Sequence, residues 1–263
     1  MWQAVVVGVD GSARSRAAVE WAAHEARLRG LPLRLVHIAP SADRPATGRA
    51  DGELAEEHEP LRQLRQQRAA VVVGAPVETL LALSETAHML VLGVRGDGGH
   101  AGLRLGSVAT EVASHSACPV VLVPLRPTRR ELRLRPDKVT LGVDARDVAE
   151  GAVDFAFDAA RERGARLHAL HSWSHSGLSR TRQYYEEEDQ EMRLLSDALR
   201  PWREKHPQVR LLEDVFRAPT PGHALLRTSA SAELLVVGRR GEGLGPTLAH
   251  LLPNSRCPVA VAP

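Results

Sequence analysis

The sequence predicts two tandem α/β domains, each built on a doubly wound sheet of parallel strands. Two observations lead to this prediction: the chain repeats itself at a domain-sized interval, and each repeat alternates short apolar runs with segments of helical periodicity. Runs such as VVVGV at 5–9 and VVLV at 120–123 are apolar throughout. Such runs are typical of strands buried on both faces, as in a parallel sheet.

The repeat is visible in three pairs of segments. GVD at 8–10 recurs at 142–144, LVLGVRG at 90–96 matches LVVGRRG at 235–241, and CPVVLVP at 118–124 matches CPVAVAP at 257–263. A period of this length is that of a domain rather than of a solenoid. We therefore predict domains over residues 1–126 and 137–263. The Pro- and Arg-rich stretch 124–136 serves as the linker between them.

Strands and helices can be assigned in the first copy. The predicted strands are 4–9, 33–38, 70–73, 89–93 and 120–123. A helix follows Asp10, with Ser12 as its N-cap, one apolar stripe (Val19, Ala22, Ala23, Ala26) and Gly30 just past its end. Further helices are predicted over 78–87 and 107–115, and Pro60 interrupts whatever helix lies between the second and third strands.

Amino-acid composition limits the classes of function that this protein can have. Of the 263 residues, 43% are hydrophobic and 25% charged, and the formal net charge of +2 does not indicate a nucleic-acid partner. Two distant cysteines, Cys118 and Cys257, make neither a disulfide framework nor a metal site, so we expect packing roles and a cytoplasmic location. We expect no membrane association, because the apolar runs are far shorter than the roughly 20 residues that a span needs.

The glycine-rich loop after the fourth strand is the clearest chemical signal. Gly93 and Gly96 are followed, after nine residues, by Gly106 and Ser107, where a helix begins. Glycines let the backbone approach a phosphate, and a helix N-terminus adds unpaired N–H donors. Ser107 would cap the helix or donate its hydroxyl to a phosphate, and Arg95 is either a solvated loop residue or a phosphate contact. Taken alone, the glycines would also fit ordinary turns.

This loop, together with VVVGVDGSARS at 5–15 and the CPV strand at 118–120, resembles the ATP-binding universal stress proteins. The resemblance extends over both copies. It implies Rossmann-like domains of the adenine nucleotide α-hydrolase type, each with a five-stranded parallel sheet of order 3-2-1-4-5 and helices on both faces. The nucleotide would then lie across the carboxyl ends of the first and fourth strands, where the strand order reverses.

The resemblance also implies individual contacts. Gly8, Val9 and Asp10 would hold the adenosine, with Asp10 placed for the ribose hydroxyls or for a water on Mg²⁺ bound through the phosphates. The backbone of Ile38 would face adenine. The remaining residues implied around the ribose and phosphates are Gly93, Gly96, Gly106, Ser107 and Val108.

The second copy departs from this pattern. Pro246 stands where the first copy has Ser107, which removes one N–H donor and a hydroxyl. Gly245 follows Gly241 by four positions, whereas Gly106 follows Gly96 by ten, and Ala145-Arg146 replace Gly11-Ser12. GEGLG at 241–245 imitates a dinucleotide fingerprint, but we interpret it as a shortened loop. The second domain is predicted to bind nucleotide weakly or not at all.

The sequence carries no GxxxxGK[ST] loop, no GxSxG elbow and no nucleophile–base pair, so we predict no catalytic residue. The resemblance implies an ATP-binding stress or dormancy regulator that hydrolyses ATP slowly or not at all. It also implies that the terminal strands pair in an intramolecular pseudo-dimer, with homodimers and an unidentified protein partner as further assemblies. The alternatives are a nucleotide-independent interaction scaffold and, against the VDGSARS loop, a ligase that releases pyrophosphate.

Overall fold

A computed structural model describes residues 3–39, 67–95, 105–125, 137–174, 182–241 and 243–263 of the chain. By its internal contacts the chain divides into two units, Met1–Arg129 and Arg130–Pro263. The stretch around Pro60 and residues 126–136 of the predicted linker lie outside the described residues.

The first unit is built on a parallel sheet of order β3-β2-β1-β4-β5. Its strands are β1 Val5–Val9, β2 Leu33–Ala39, β3 Gln67–Val73, β4 Met89–Gly93 and β5 Val120–Val123. In the register of the sheet, Val9 lies beside His37 and Val7 beside Val91. The order confirms the 3-2-1-4-5 prediction, and it leaves the carboxyl ends of β1 and β4 as neighbours at the point where the order reverses.

Helix α1 (Ala13–Arg29) lies on one face of this sheet, against β1 and β4. The Ser12 side chain accepts a hydrogen bond of 3.0 Å from the Ser15 N–H, and Gly30 ends the helix in the left-handed conformation with φ 63°. Both caps are as predicted. The predicted apolar stripe is fully buried, since Val19, Ala22, Ala23 and Ala26 are at most 1% exposed.

Helices α2 (Pro76–Ser84) and α3 (Ser107–His115) pack against each other and against the sheet. The predicted 107–115 helix has the observed bounds, whereas the predicted 78–87 helix begins two residues earlier. The reason is Pro76, whose fixed φ suits the first helical position. The same helix ends early, at Ser84, whose hydroxyl donates to the Leu81 carbonyl and accepts from the Ala117 N–H.

The second unit repeats this architecture, with strand order β8-β7-β6-β9-β10. Its strands are β6 Lys138–Gly142, β7 Arg166–Trp173, β8 Leu211–Arg217, β9 Leu234–Gly238 and β10 Val259–Ala262. Helices α4 (Glu150–Arg163) and α5 (Arg182–Lys205) pack on one another, as do α6 (Pro221–Thr228) and α7 (Pro246–Leu251). The prediction of helices on both faces of a parallel sheet is thus confirmed in each unit.

An acidic run such as Glu186–Asp189 is typical of the first turn of a helix, and this interpretation of it is wrong here. Helix α5 already includes Arg182 and has no acidic residue in its first turn. Arg182 and Gln183 instead pair with Glu186 and Glu187 one turn later. The run is therefore held by side-chain pairs along the helix and not by the helix dipole.

The cores consist of strand residues that are buried on both faces, among them Val5, Val91, Val121, Leu167 and Val236. Cys118 and Cys257 are buried free thiols, and burial raises the pKa of Cys118. None of the helices in the described ranges is long and apolar enough to cross a membrane.

Candidate functional site

A cavity of about 350 Å³ opens at the carboxyl ends of β1 and β4 in the first unit. The structure brings to its walls every predicted site residue that it describes: Gly8, Val9, Asp10, Ile38, Gly93, Arg95, Gly106, Ser107 and Val108. Gly96 lies outside the described residues. Ser12, Ser15, Pro76 and Leu80 also line the cavity, and the sequence prediction had not included them.

The turn after β1 is fixed by its own side chains. Asp10 Oδ1 accepts a hydrogen bond of 3.0 Å from the Ser12 N–H. Partial burial raises the pKa of Asp10, but the hydrogen bonds from Ser12 outweigh it and leave the pKa below its usual value. Gly11 has φ 82°, a conformation that favours glycine. This turn therefore holds an ionised carboxylate at the rim of the cavity.

His37 ties the ends of β1 and β2 together. Its Nδ1 lies 2.9 Å from the Val9 carbonyl oxygen, which can only accept, so Nδ1 donates. The second unit has a histidine at the corresponding position, and His171 Nδ1 lies 3.2 Å from the Val143 carbonyl oxygen, so both histidines link the first two strands of their units. Ile38 follows directly and lines the cavity.

Two of the predicted glycines are needed for close packing. A Cβ at Gly8 would lie 2.6 Å from Leu92 Cδ2, and one at Gly93 would lie 3.0 Å from the backbone carbon of Arg14. Gly8 therefore leaves room for the side chain of Leu92 on β4, and Gly93 lets the first turn of α1 approach the end of β4. Their presence shapes the cavity walls whether or not a ligand contacts them.

The far wall is the N-terminus of α3. Gly106 is the N-cap residue and donates its N–H to the Val94 carbonyl at 2.9 Å, so this amide is already engaged. Ser107 is the first helical residue and does not cap the helix, and no side chain does so within the described residues. Since the first N–H groups of a helix have no intrahelical acceptor, the amides of Ser107 and Val108 are the donors that this wall offers.

The second unit keeps a cavity in the corresponding place, and it is larger, about 580 Å³. Here Arg240, the counterpart of Arg95, donates to Asp144 Oδ2 at 3.0 Å and to the Asp147 carbonyl. Arg146, the counterpart of Ser12, donates to Glu191 Oε2 at 2.8 Å. The cavity has thus persisted while its charged side chains have become paired with one another.

The sequence interpretation missed Glu191 altogether. His171 Nε2 lies 3.1 Å from Glu191 Oε2. The hydrogen bond from Arg146 has the largest effect on the pKa of Glu191 and, together with the one from His171, lowers it against the opposing effect of burial. The available signal was the change from Ser12 to Arg146, an arginine that can pair with a carboxylate, but residue spacing could not identify Glu191 as that partner. Among the described residues, no three His, Cys, Asp or Glu side chains form a group that could hold a metal ion.

Comparison with known proteins agrees with this architecture. The sequence profile of the universal stress protein family matches residues 1–124 and 136–263. Universal stress protein Rv1996 of Mycobacterium tuberculosis is 33% identical over 301 residues, with 98% of this chain and 94% of that protein covered. Universal stress protein Rv2623 of the same organism is 32% identical over 98% of this chain and 95% of that protein.

The fold is that of a solved universal stress protein structure. A universal stress protein from Archaeoglobus fulgidus DSM 4304 superposes with a TM-score of 0.69 at 20% identity, over 98% of this chain and 95% of that one. The universal stress protein from Archaeoglobus fulgidus in complex with dAMP is 27% identical over 45% of this chain and 95% of its own, with a TM-score of 0.35. With two copies of the family's domain covering nearly its whole length, the chain belongs to the universal stress protein family.

Proposed function

We propose that the first unit binds ATP and that the chain acts in the cytoplasm as a nucleotide-responsive regulator of stress or dormancy. The observation that carries the proposal is the meeting of two features in one cavity. Asp10 lies on one wall, and the uncapped N-terminus of α3 forms another. The carboxylate suits sugar hydroxyls or a hydrated Mg²⁺, and the helix terminus suits phosphate.

The rest of the wall fits the same ligand. Val36, Ile38, Leu80 and Leu92 give the cavity an apolar side against which a base would pack. Arg95 lines it as the cation near the phosphates. Mg²⁺ would be held through the phosphates, with Asp10 as the carboxylate available to its water shell.

Regulation would follow from linkage. A ligand that binds only the folded state at 100 times its Kd stabilises that state by about 2.7 kcal/mol. Nucleotide occupancy would place the phosphates against the 93–106 loop and so alter the surface that a protein partner meets. We propose slow hydrolysis or none, because the described part of the lining offers Asp10 as a carboxylate but no histidine or cysteine to serve as a base.

Ser107 allows a matched test with the full-length protein. Ser107→Pro copies the second unit, where Pro246 begins a helix, and it removes both an N–H and a hydroxyl. Ser107→Ala removes the hydroxyl alone. We expect calorimetric titration with Mg-ATP to show at least a tenfold loss of affinity for Ser107→Pro and a smaller loss for Ser107→Ala. Mass spectrometry of small molecules released from the purified protein should identify an adenine nucleotide.

The result that overturns the proposal is the absence of saturable ATP binding by a folded wild-type protein. Equal affinity in the wild type and both Ser107 variants would show that the N-terminus of α3 does not contact the nucleotide. If the folded wild-type protein binds no ATP, a nucleotide-independent interaction scaffold is the better explanation.

A further inference from the structure

The second unit's cavity differs from the first in the kind of ligand that its walls can accept. We propose that it binds an uncharged small molecule that carries both ring-sized apolar groups and hydrogen-bonding groups, and that it excludes polyphosphates. This site is separate from the proposed ATP site and does not depend on it.

The size and lining of the cavity fit such a ligand. Its volume of about 580 Å³ lies within the range of roughly 300–1,000 Å³ that small-molecule sites occupy. The lining combines the apolar residues Val143, Val153, Leu170, Trp173 and Leu225 with the polar residues His171, Ser172, Ser174 and Thr247. Trp173 is only 5% exposed and packs 5.3 Å from the Tyr184 ring, so its indole is a fixed wall.

The charged groups at the rim are already committed to one another. Arg240 is held by Asp144 and by the carboxylate of Asp147, 3.2 Å away, and Arg146 by Glu191. Three carboxylates thus face two guanidiniums. An incoming polyphosphate would have to displace a carboxylate from each arginine and would leave that carboxylate beside its own negative charge.

The wall that would receive a phosphate is also altered. Helix α7 begins with Pro246, which has no N–H, and it spans only Pro246–Leu251. An uncharged ligand loses nothing from either change, because it requires neither a free guanidinium nor a row of amides. Burial of its apolar surface, worth roughly 25 cal/mol per Å², would drive binding.

The test uses the uncharged fluorophore N-phenyl-1-naphthylamine and the full-length protein with its first cavity blocked. Val108 and Thr247 stand at corresponding positions beside the two cavities, and each is only partly buried. In Val108→Phe, we expect saturable binding of the fluorophore. Adding Thr247→Phe should weaken that binding at least tenfold, and ATP at millimolar concentration should not displace the fluorophore from Val108→Phe.

Energy transfer locates the bound fluorophore independently of any blocking variant. Excitation of tryptophan should sensitise its emission, and Trp173→Phe should lower the sensitised emission per bound fluorophore, with the bound amount measured by direct excitation. The proposal is overturned if Val108→Phe binds no fluorophore, if ATP displaces it competitively, or if Trp173→Phe leaves the sensitised emission per bound fluorophore unchanged. ATP binding at the first unit is measured separately in Thr247→Phe, so failure of either site is recognised by itself.

Discussion

The two units carry the same sheet and the same turn after the first strand, yet they treat that turn differently. In the first unit, Asp10 accepts a backbone N–H from Ser12 and faces the cavity beside an uncapped helix. In the second, Asp144 likewise accepts a hydrogen bond from the Arg146 N–H, but it also accepts one from the Arg240 guanidinium. Substitution of a few residues at one edge of a sheet therefore changes what a site can bind without changing the fold that supports it.

The backbone conformation of this turn also differs between the two units. Gly11 has φ 82°, whereas no non-glycine residue in the described ranges has a positive φ, so Ala145 takes another conformation. Helix α1 begins with the Ser12 cap, but α4 begins five residues after Ala145 without a side-chain cap. The longer turn of the second unit gives Arg146 the position from which it reaches Glu191.

The largest expected effect comes from removing each aspartate in turn. Asp10→Ala should lower the ATP affinity of the full-length protein at least tenfold, about 1.4 kcal/mol, because a charge-assisted contact to the ribose or hydrated metal is lost. Asp144→Ala should leave ATP affinity unchanged. Calorimetric titration of the two variants measures both values. Equal losses would mean that the units share the function and that the comparison is wrong.

The glycines at the ends of β4 and β9 should affect stability next most strongly. A Cβ at Gly238 would lie 2.3 Å from Ala149 Cβ, closer than the 3.0 Å contact with Arg14 that Gly93 would make. Since overpacking costs about 1–3 kcal/mol, we expect Gly238→Ala to destabilise its unit more than Gly93→Ala does. Urea unfolding followed by tryptophan fluorescence and circular dichroism tests the order. A more stable Gly238→Ala would show that the α4 N-terminus is free to shift.

The fold was predictable from the sequence because its signals are local. Uninterrupted apolar runs marked the strands, and Ser12 and Gly30 marked the ends of α1. The site was predictable as a set of residues, since β1 and β4 end at one edge. What the sequence could not reveal were contacts between distant residues: the packing role of Gly93 against Arg14, and the pairing of Arg146 with Glu191. Those contacts depend on side-chain placement, which residue spacing does not determine.

Helix α1 has a side-chain cap at Ser12 and α4 has none, and the expected effect of this difference on stability is smaller. Ser12→Ala should destabilise the first unit by about 1 kcal/mol, because the Ser15 N–H loses its acceptor. Ser12→Thr is the matched variant, since threonine keeps the capping hydroxyl without adding a charge beside Asp10, and it should restore most of the loss. Thermal and urea unfolding monitored by circular dichroism measure the difference. An unaffected Ser12→Ala would contradict the capping role.

The smallest expected effect concerns acid stability in the second unit. Hydrogen bonds from Arg146 and His171, against the opposing effect of burial, place the pKa of Glu191 below its ordinary value of about 4.5. A lowered pKa contributes stability above the ordinary value, and that contribution disappears as the pH falls through the folded-state pKa. Glu191→Gln should therefore flatten the decline in unfolding free energy between about pH 7 and pH 3. The change should be at most about 1 kcal/mol, because Arg146 is largely exposed.

Glu186 provides the control for this measurement, since it lies on the same helix and pairs with an exposed arginine one turn away. Glu186→Gln should leave the pH profile of unfolding close to that of the wild type, because solvent screens its ion pair from both sides. Glu191, by contrast, lines the cavity from α5, with 12% of its side chain exposed. If Glu191→Gln and Glu186→Gln had the same pH profile, the ion pairs at the second cavity would be no stronger than surface contacts, and a polyphosphate could displace them at little cost.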